Sequence, residues 1–254
     1  MIRSINPMRL HLQLMNVLLI DIADGVVAPG ERLPSESELA AHFGFSRGVA
    51  REAIRALEER SIVAVRHGRG ATVLDPRSWN LLDEYVVGAL LQTSASVEIL
   101  REFLECRRVL EVEAAGLAAL RASERDLNEL AAIYARMAAS ADRATRSGAA
   151  EDAYHEADMR FHQAIFDATG NRVLCRTLEP IQRALIAVRK RLADPATRIH
   201  TTLPEHQRIL KAIVDRDPDE ARAAMEAHLS TIGALIHSYS AARQKRALGR
   251  QLVG

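Results

Sequence analysis

Hydrophobic residues recur three and four positions apart along most of this chain, the spacing of amphipathic helices. The first such stretch ends near Gly25. Two shorter helical patterns follow, separated by Gly44, and after them come two β-prone runs at 62–65 and 71–74. From Ser96 to about residue 240 the pattern is again helical throughout, and Thr202 with Glu205 is expected to cap the fifth helix of this segment. We therefore predict a mainly α protein, with one small helix-and-hairpin unit followed by an antiparallel bundle of about six helices.

Cap residues support the two short helices near the front of the chain. Ser35 and Glu38 have the spacing of a capping box, and Gly44 is suited to end that helix. Ser46 caps the helix that follows. The glycines of 67–70 permit the positive φ angles of a tight turn between the two β-prone runs. Helix, turn, helix and hairpin together predict a winged helix-turn-helix, whose second helix fits the major groove of DNA.

Arginines follow the surface that such a helix would present to DNA. Arg47, Arg51 and Arg55 recur every four residues and therefore share one face, opposite the apolar stripe. Between Ser46 and Gly70 six arginines stand against three glutamates. A solvated helix face is the alternative for the spacing alone, but spacing, turn and basic hairpin together favour DNA binding.

Overall composition changes this picture little. The chain has 254 residues, 48% hydrophobic and 26% charged, with a formal net charge of +1. Attraction to DNA must therefore come from a local patch. Signal-peptide features, a CxxC pair and an apolar run long enough to span a bilayer are missing from the sequence. We expect a cytoplasmic protein with reduced cysteines and no membrane contact.

The front segment resembles the winged helix-turn-helix of the GntR superfamily of bacterial transcription regulators. The matching residues are Pro29-Gly30, Leu33-Pro34-Ser35-Glu36, Leu39-Ala40, Ser46-Arg47, Arg51-Glu52-Ala53, Leu57 and His67-Gly68-Arg69-Gly70. The resemblance implies that Arg47 and Arg51 contact bases or phosphates, that Ser46 binds phosphate, and that the wing tip enters the minor groove. The DNA-binding residues expected on this basis are Ser35, Ser46, Arg47, Arg51, His67, Gly68 and Arg69.

Four polar residues occupy positions of the bundle where apolar ones are expected. Asp158 and His162 lie four apart on one helix, and His206 and His228 interrupt the apolar stripes of two others. Each histidine taken alone is more often a hydrogen-bonded core residue. A buried aspartate, however, is costly unless it is paired or coordinated. One divalent cation would satisfy all four side chains, with zinc preferred and nickel or manganese as alternatives.

The same four positions resemble the effector domain of the FadR-like branch of the superfamily, called FCD. The resemblance implies that the metal keeps open positions for the carboxylate of a small acid, and that Arg107 binds that carboxylate. A salt bridge from Arg107 to Glu111 is the alternative. The segment 79–83, WNLLD, resembles regulators of sugar-acid catabolism, so the effector could be a sugar acid. We place the DNA-binding domain at 1–76, the effector and dimerisation domain at 77–242, and a basic, disordered tail at 243–254.

Enzyme motifs fail on inspection. His155-Glu156 begins like the zinc-protease motif HExxH but lacks its second histidine, and neither a phosphate loop nor a serine nucleophile motif is present.

A single winged helix reads few base pairs, so we expect a homodimer on a palindromic operator. The sequence thus predicts a metabolite-responsive transcription regulator, most often a repressor in this family. The alternatives are a DNA-binding dimer with a purely structural metal and, less favoured, a metal-dependent enzyme.

Overall fold

A computed structural model of the chain describes residues 7–66, 68–93, 96–144, 148–178, 181–182 and 195–251. The chain divides into two compact units, 1–96 and 97–254. Within the described ranges, every helix is too short or too polar to cross a membrane.

The first unit is built on three helices that begin and end where their cap residues lie. Ser35 accepts a hydrogen bond from the backbone of Glu38, whose side chain accepts from the backbone of Ser35, so the predicted capping box is confirmed. Gly44 ends that helix with φ of 69°, and the Ser46 hydroxyl caps the next by accepting from Val49. The helices are α1 (Pro7–Ala23), α2 (Glu36–Phe43) and α3 (Arg47–Glu59).

A two-stranded antiparallel hairpin follows α3. Its strands are β1 (Val63–Arg66) and β2 (Gly70–Val73), paired from Val63 with Val73 to Arg66 with Gly70. The segment before α2 joins its edge, because Leu33 donates to the carbonyl of Ala71 and Val73 donates to that of Glu31. This third partner fixes the hairpin against the helices, and the fold is a winged helix-turn-helix.

The first unit extends beyond the hairpin. A short 3-10 turn (Pro76–Ser78) leads to α4 (Glu84–Leu90), which packs on α1. Arg60 at the end of α3 pairs with Asp83 at 3.0 Å and lies over the ring of Tyr85. The packing boundary therefore falls after α4, near residue 96, whereas the sequence analysis placed the domain boundary at residue 76.

The second unit is helical over all of its described residues. Aromatic side chains on α7, Phe161 and Phe166 among them, are fully buried in its core. Its helices are α5 (Ser96–Arg121), α6 (Glu124–Ala144), α7 (Gly148–Ala168), α8 (described over 172–178), α9 (Pro195–Val214) and α10 (Pro218–Gln251).

Two helix ends differ from the sequence expectation. Thr202 and Glu205 were expected to cap the fifth bundle helix, but α9 begins at Pro195 and contains both, with Pro204 inside it. Residues 243–254 were expected to form a disordered tail, but α10 continues to Gln251. Residues 241–251 are mostly alanine, arginine, lysine and glutamine, which are good helix formers.

Ion pairs and close packing connect the helices of the second unit. Arg160 on α7 pairs with Glu129 on α6 at 2.9 Å, and Arg208 on α9 pairs with Glu220 on α10 at 2.6 Å. Between α5 and α10 the contact is tight, because a Cβ added at Gly233 would lie 2.9 Å from a methyl carbon of Leu104. Three of these helices, α7, α9 and α10, carry the predicted metal ligands.

Candidate metal centre and nucleic-acid interface

The exposed face of α3 carries the arginines predicted to read DNA. Its other face buries Ala50, Ala53, Ile54, Ala56 and Leu57. Arg51 forms an ion pair with Glu36 of α2 at 3.1 Å, in which both side chains remain substantially exposed. Arg47, at the N-terminus of α3, is exposed and has no ion pair within the part of the chain that the structure describes. The two guanidinium groups therefore differ, since that of Arg51 already holds a carboxylate and that of Arg47 does not.

The remaining predicted DNA contacts surround the helix N-termini and the turn of the hairpin. Ser35 and Ser46 are exposed and use their hydroxyls as caps, which leaves their oxygen atoms at helix N-termini where phosphate is favoured. Gly68 has φ of 71°, which a side chain would disfavour, and Arg69 beside it is exposed. His67 lies outside the described residues.

Three buried histidines meet in the second unit, one each from α7, α9 and α10. His162, His206 and His228 are 1%, 0% and 2% exposed. A ligand atom from each lies within 4.8 Å of the others. The ring centroids of His206 and His228 are 4.4 Å apart, and each lies 5.3 Å from that of His162. The sequence prediction that these three side chains converge agrees with this geometry.

Asp158 lies at the edge of this histidine group. One of its carboxylate oxygens is 3.1 Å from Nε2 of His206 and 3.9 Å from Nε2 of His162. The same Nε2 atoms of the two histidines are 3.3 Å apart. Asp158 and His162 are one helical turn apart on α7, so the i, i+4 spacing places both on the side that meets α9.

Arg107 and Glu111 form a buried ion pair on α5, next to the histidines. The Nε of Arg107 donates to one oxygen of Glu111, and its Nη2 donates to the other at 3.3 Å. This contact is the alternative that the sequence left open for Arg107. It does not use Nη1, so part of the guanidinium remains uncommitted to Glu111.

Glu111 is completely buried and also contacts the histidine group. Its Oε2 lies 2.5 Å from Nδ1 of His162, although the carboxylate is not in line with a ring N–H, so this is a charge contact more than a directed hydrogen bond. Burial alone would raise the pKa of Glu111. The positive charge of Arg107, with a smaller effect from His162, outweighs burial and lowers that pKa to about 2.

Glu205 plays a similar part on the other side of the group. Its Oε2 lies 3.0 Å from Nδ1 of His228, and its Oε1 accepts a hydrogen bond of 2.5 Å from Thr231. Glu205 precedes His206 on α9, and Thr231 follows His228 by one turn on α10. The contacts of Glu111 and Glu205 to the histidines were not predicted from the sequence. The only sequence signals were that Glu205 adjoins His206 and that Glu111 lies one helical turn from Arg107.

The pKa directions of His162 and His228 suit metal binding. Burial lowers the pKa of His162, against an opposing effect of Glu111. Burial, followed by the charges of His206 and His162, holds the pKa of His228 well below its ordinary value. Neutral imidazoles are the form that binds metal ions.

The donor set also fits a divalent metal. Nδ1 of His206 is buried without a hydrogen-bond partner in the described ranges, and such groups are costly unless something else compensates them. Three imidazoles and one carboxylate are common ligands of zinc and related ions. The group could therefore hold one metal ion through His162, His206 and His228, with Asp158 beside it.

Comparison with known proteins covers both units. Residues 10–73 match the family described as "Bacterial regulatory proteins, gntR family", and residues 102–231 match the "FCD domain" family. The Galactonate operon transcriptional repressor of Escherichia coli is 32% identical over 80% of this chain and 86% of its own length. The HTH-type transcriptional regulator LutR of Bacillus subtilis is 30% identical over 86% of this chain and 97% of its own.

More distant similarities agree with these. The HTH-type transcriptional repressor NanR of Escherichia coli is 28% identical over 85% of this chain and 80% of its own length. Among solved structures, that of Lar, described as controlling the expression of the Listeria monocytogenes agr system, has a TM-score of 0.65 over 93% of this chain and 99% of its own, at 19% identity. This last likeness concerns the fold alone.

Proposed function

We propose that this chain represses a catabolic operon until a small organic acid binds at a metal ion in its second unit. The chain belongs to the GntR family of DNA-binding transcription regulators and carries an FCD domain. The observation that carries the proposal is the group of three buried histidines on α7, α9 and α10 with Asp158 at its edge. It lies within residues 102–231, the segment that matches the FCD family.

The charges around the histidines favour a divalent ion. Asp158, Glu111 and Glu205 are carboxyl groups within reach of the imidazoles, and Arg107 is the guanidinium that faces them. Their formal charge is −2, which a divalent cation neutralises. Zinc suits this nitrogen-rich set best, with nickel and manganese as alternatives. When bound, the metal supplies a Lewis-acidic centre for an anionic effector.

The effector is a carboxylic acid in this proposal. Arg107 is 4% exposed, and its bonds to Glu111 leave Nη1 uncommitted to that residue. A planar guanidinium recognises carboxylates well, so Arg107 and the metal would hold one effector between them. The similarity to a galactonate operon repressor and the 79–83 segment both favour a sugar acid.

DNA recognition is assigned to the first unit. Arg47 and Arg51 would enter the major groove at the N-terminal half of α3, and Ser35 and Ser46 would bind phosphates. The wing residues His67, Gly68 and Arg69 would reach the minor groove. Two such units in a homodimer would bind a palindromic operator. We assign 1–76 to this role, 77–242 to effector binding and dimerisation, and 243–254 to the basic C-terminal segment.

A thermal-shift screen of organic acids tests the sensing role. The zinc-loaded protein is melted with aldonates, hexuronates and short hydroxy acids, and operator affinity is then measured with each acid that stabilises it. One class of acid should raise the melting temperature and weaken operator binding. His206→Ala should remove both effects, and His200→Ala, on an exposed part of α9, should remove neither. Metal binding with no response to any acid would favour a purely structural metal.

A further inference from the structure

The histidine group has two outer carboxylates that the family comparison does not assign. We propose that Glu205 and Glu111 are positioning residues, which hold the Nε2 atoms of His228 and His162 toward one metal ion. This inference rests on the metal site of the proposed function. It concerns which nitrogen of each ring faces the ion and how much the two carboxylates strengthen zinc binding.

Glu205 carries the clearer geometry. Its Oε2 is 3.0 Å from Nδ1 of His228. A carboxylate accepts hydrogen bonds, so this contact places the ring proton on Nδ1 and the lone pair on Nε2. The lone pair is then presented on the side of the ring away from Glu205. Hydrogen bonding of this kind fixes the tautomer and orientation of metal-binding histidines and strengthens them as ligands.

Glu205 is itself held in place, as a positioning residue must be. Thr231 donates to its Oε1 at 2.5 Å, so each oxygen of the carboxylate has a partner on α10. Because Glu205 adjoins His206 along α9, this one side chain fixes a ligand of α10 relative to a ligand of α9. The link would keep two of the three imidazoles at a constant separation.

Glu111 faces Nδ1 of His162 on the other side of the group, through a charge contact and not a directed hydrogen bond. Its Oε2 lies 2.5 Å from Nδ1 of that ring, while Nε2 faces His206 at 3.3 Å. Arg107 orients the Glu111 carboxylate by donating to both of its oxygens. Two of the three histidines therefore face a carboxylate with Nδ1. Nδ1 of His206 has no such partner among the described residues, and Asp158 lies on its Nε2 side.

Zinc affinity of Glu205 variants tests the proposal. The full chain is titrated with zinc against a chromophoric chelator. Glu205→Ala should bind zinc about 10–100-fold more weakly than the wild type. Glu205→Gln should lose less, because its amide oxygen still accepts from Nδ1–H although the charge is gone. The matched control is Glu220→Ala on α10, which removes a glutamate paired on the surface with Arg208 and should leave zinc affinity unchanged.

Two further readouts separate positioning from a general effect on folding. The melting temperature of the metal-free protein should change little in Glu205→Ala, whereas the rise caused by zinc should shrink. Long-range nitrogen NMR of the metal-free protein should show His228 protonated on Nδ1 in the wild type and partly on Nε2 in Glu205→Ala. Equal losses of melting temperature with and without zinc would make Glu205 a structural residue and overturn the proposal.

Cobalt substitution separates a positioning residue from a direct ligand. The visible absorption of the cobalt-loaded protein should keep its band intensity in Glu205→Gln, since the number of ligands is unchanged. A change in coordination number would overturn the proposal by making Glu205 a ligand. Wild-type zinc affinity in Glu205→Ala would overturn it as well. If the wild type binds no zinc, the proposed metal site itself is wrong, which is a different and recognisable failure.

Glu111 is tested with Glu111→Gln, because truncating the side chain would leave Arg107 buried and unpaired. Glutamine keeps the size of the side chain and an oxygen that can accept from Arg107, but it loses the charge that faces His162. Zinc affinity should fall by about 10-fold, and the melting temperature of the metal-free protein is measured as the control for folding. Wild-type zinc affinity in Glu111→Gln would exclude Glu111 from the positioning role.

Discussion

Acidification should destabilise the metal-free protein through His228. This residue is 2% exposed, and burial together with the charges of its two histidine neighbours holds its pKa well below the ordinary 6.5. In the unfolded chain the same imidazole takes up a proton near that ordinary value. Below it the unfolded state therefore binds more protons than the folded state, and the free energy of unfolding falls as pH falls. Stability from this source is complete above the unfolded pKa and is lost on acidification.

The size of the effect follows from the same linkage. A histidine that stays neutral in the folded state costs up to about 1.4 kcal/mol for each pH unit below the unfolded pKa. Between about pH 7.5 and pH 5.5 the loss from His228 alone is therefore on the order of 1 kcal/mol. His162 adds a loss of the same sign, since burial also lowers its pKa.

Urea unfolding of chelator-treated protein at these two pH values measures the loss. His228→Gln should lose less stability than the wild type between them, by on the order of 1 kcal/mol, because glutamine does not titrate. The control, His200→Gln, alters an exposed histidine on the same bundle and should keep the wild-type pH dependence. An unchanged pH dependence in His228→Gln would refute the claim that this imidazole is buried in its neutral form.

Three further results are expected. Arg47→Ala should weaken operator binding by about 1–3 kcal/mol and reduce the salt slope by about 0.9, as measured by fluorescence anisotropy, whereas Arg136→Ala on the exposed face of α6 should change neither. His206→Ala should abolish stoichiometric zinc in elemental analysis, and retained zinc would disprove the ligand assignment. Ser35→Ala should lower the free energy of unfolding by about 1 kcal/mol through loss of the α2 cap. Ser37→Ala, within the same helix, is the control and should have little effect.

Local sequence signals predicted the elements of the first unit well, because its helices are capped by residues that lie close to them in the sequence. The hydroxyls of Ser35 and Ser46 cap within three residues, and Gly44 supplies the left-handed backbone that ends α2. The same reasoning misplaced the start of α9. Thr202 and Glu205 have the spacing of an N-terminal cap, and Pro204 resembles a helix start. All three lie inside the helix, where Thr202 instead contacts Tyr154 of α7.

The candidate site was predictable only in part. Helical spacing places Asp158 with His162 and puts His206 and His228 in apolar stripes, so burial of the three imidazoles follows from periodicity. Their convergence was predicted from the cost of burying four polar side chains and from the resemblance to the FCD domain. Contacts between helices do not follow from it. Glu111 reaches His162 from α5, and Glu205 reaches His228 from α9, across sequence separations that no local pattern encodes. These carboxylates emerge only when the helices are packed.

The position of α5 in the chain bears on how effector binding in the second unit could affect the DNA-binding unit. This helix begins at Ser96, where the first compact unit ends, and it carries the Arg107–Glu111 pair that touches His162. An effector carboxylate that drew Arg107 from Glu111 would change the contacts between α5 and α7 at the metal. A ligand shifts a conformational equilibrium only by its differential contacts with the two states. In our proposal the effector and Glu111 compete for the guanidinium of Arg107, which supplies such a difference. Linkage then requires that operator DNA changes the affinity for the effector by the same factor by which the effector changes the affinity for operator DNA.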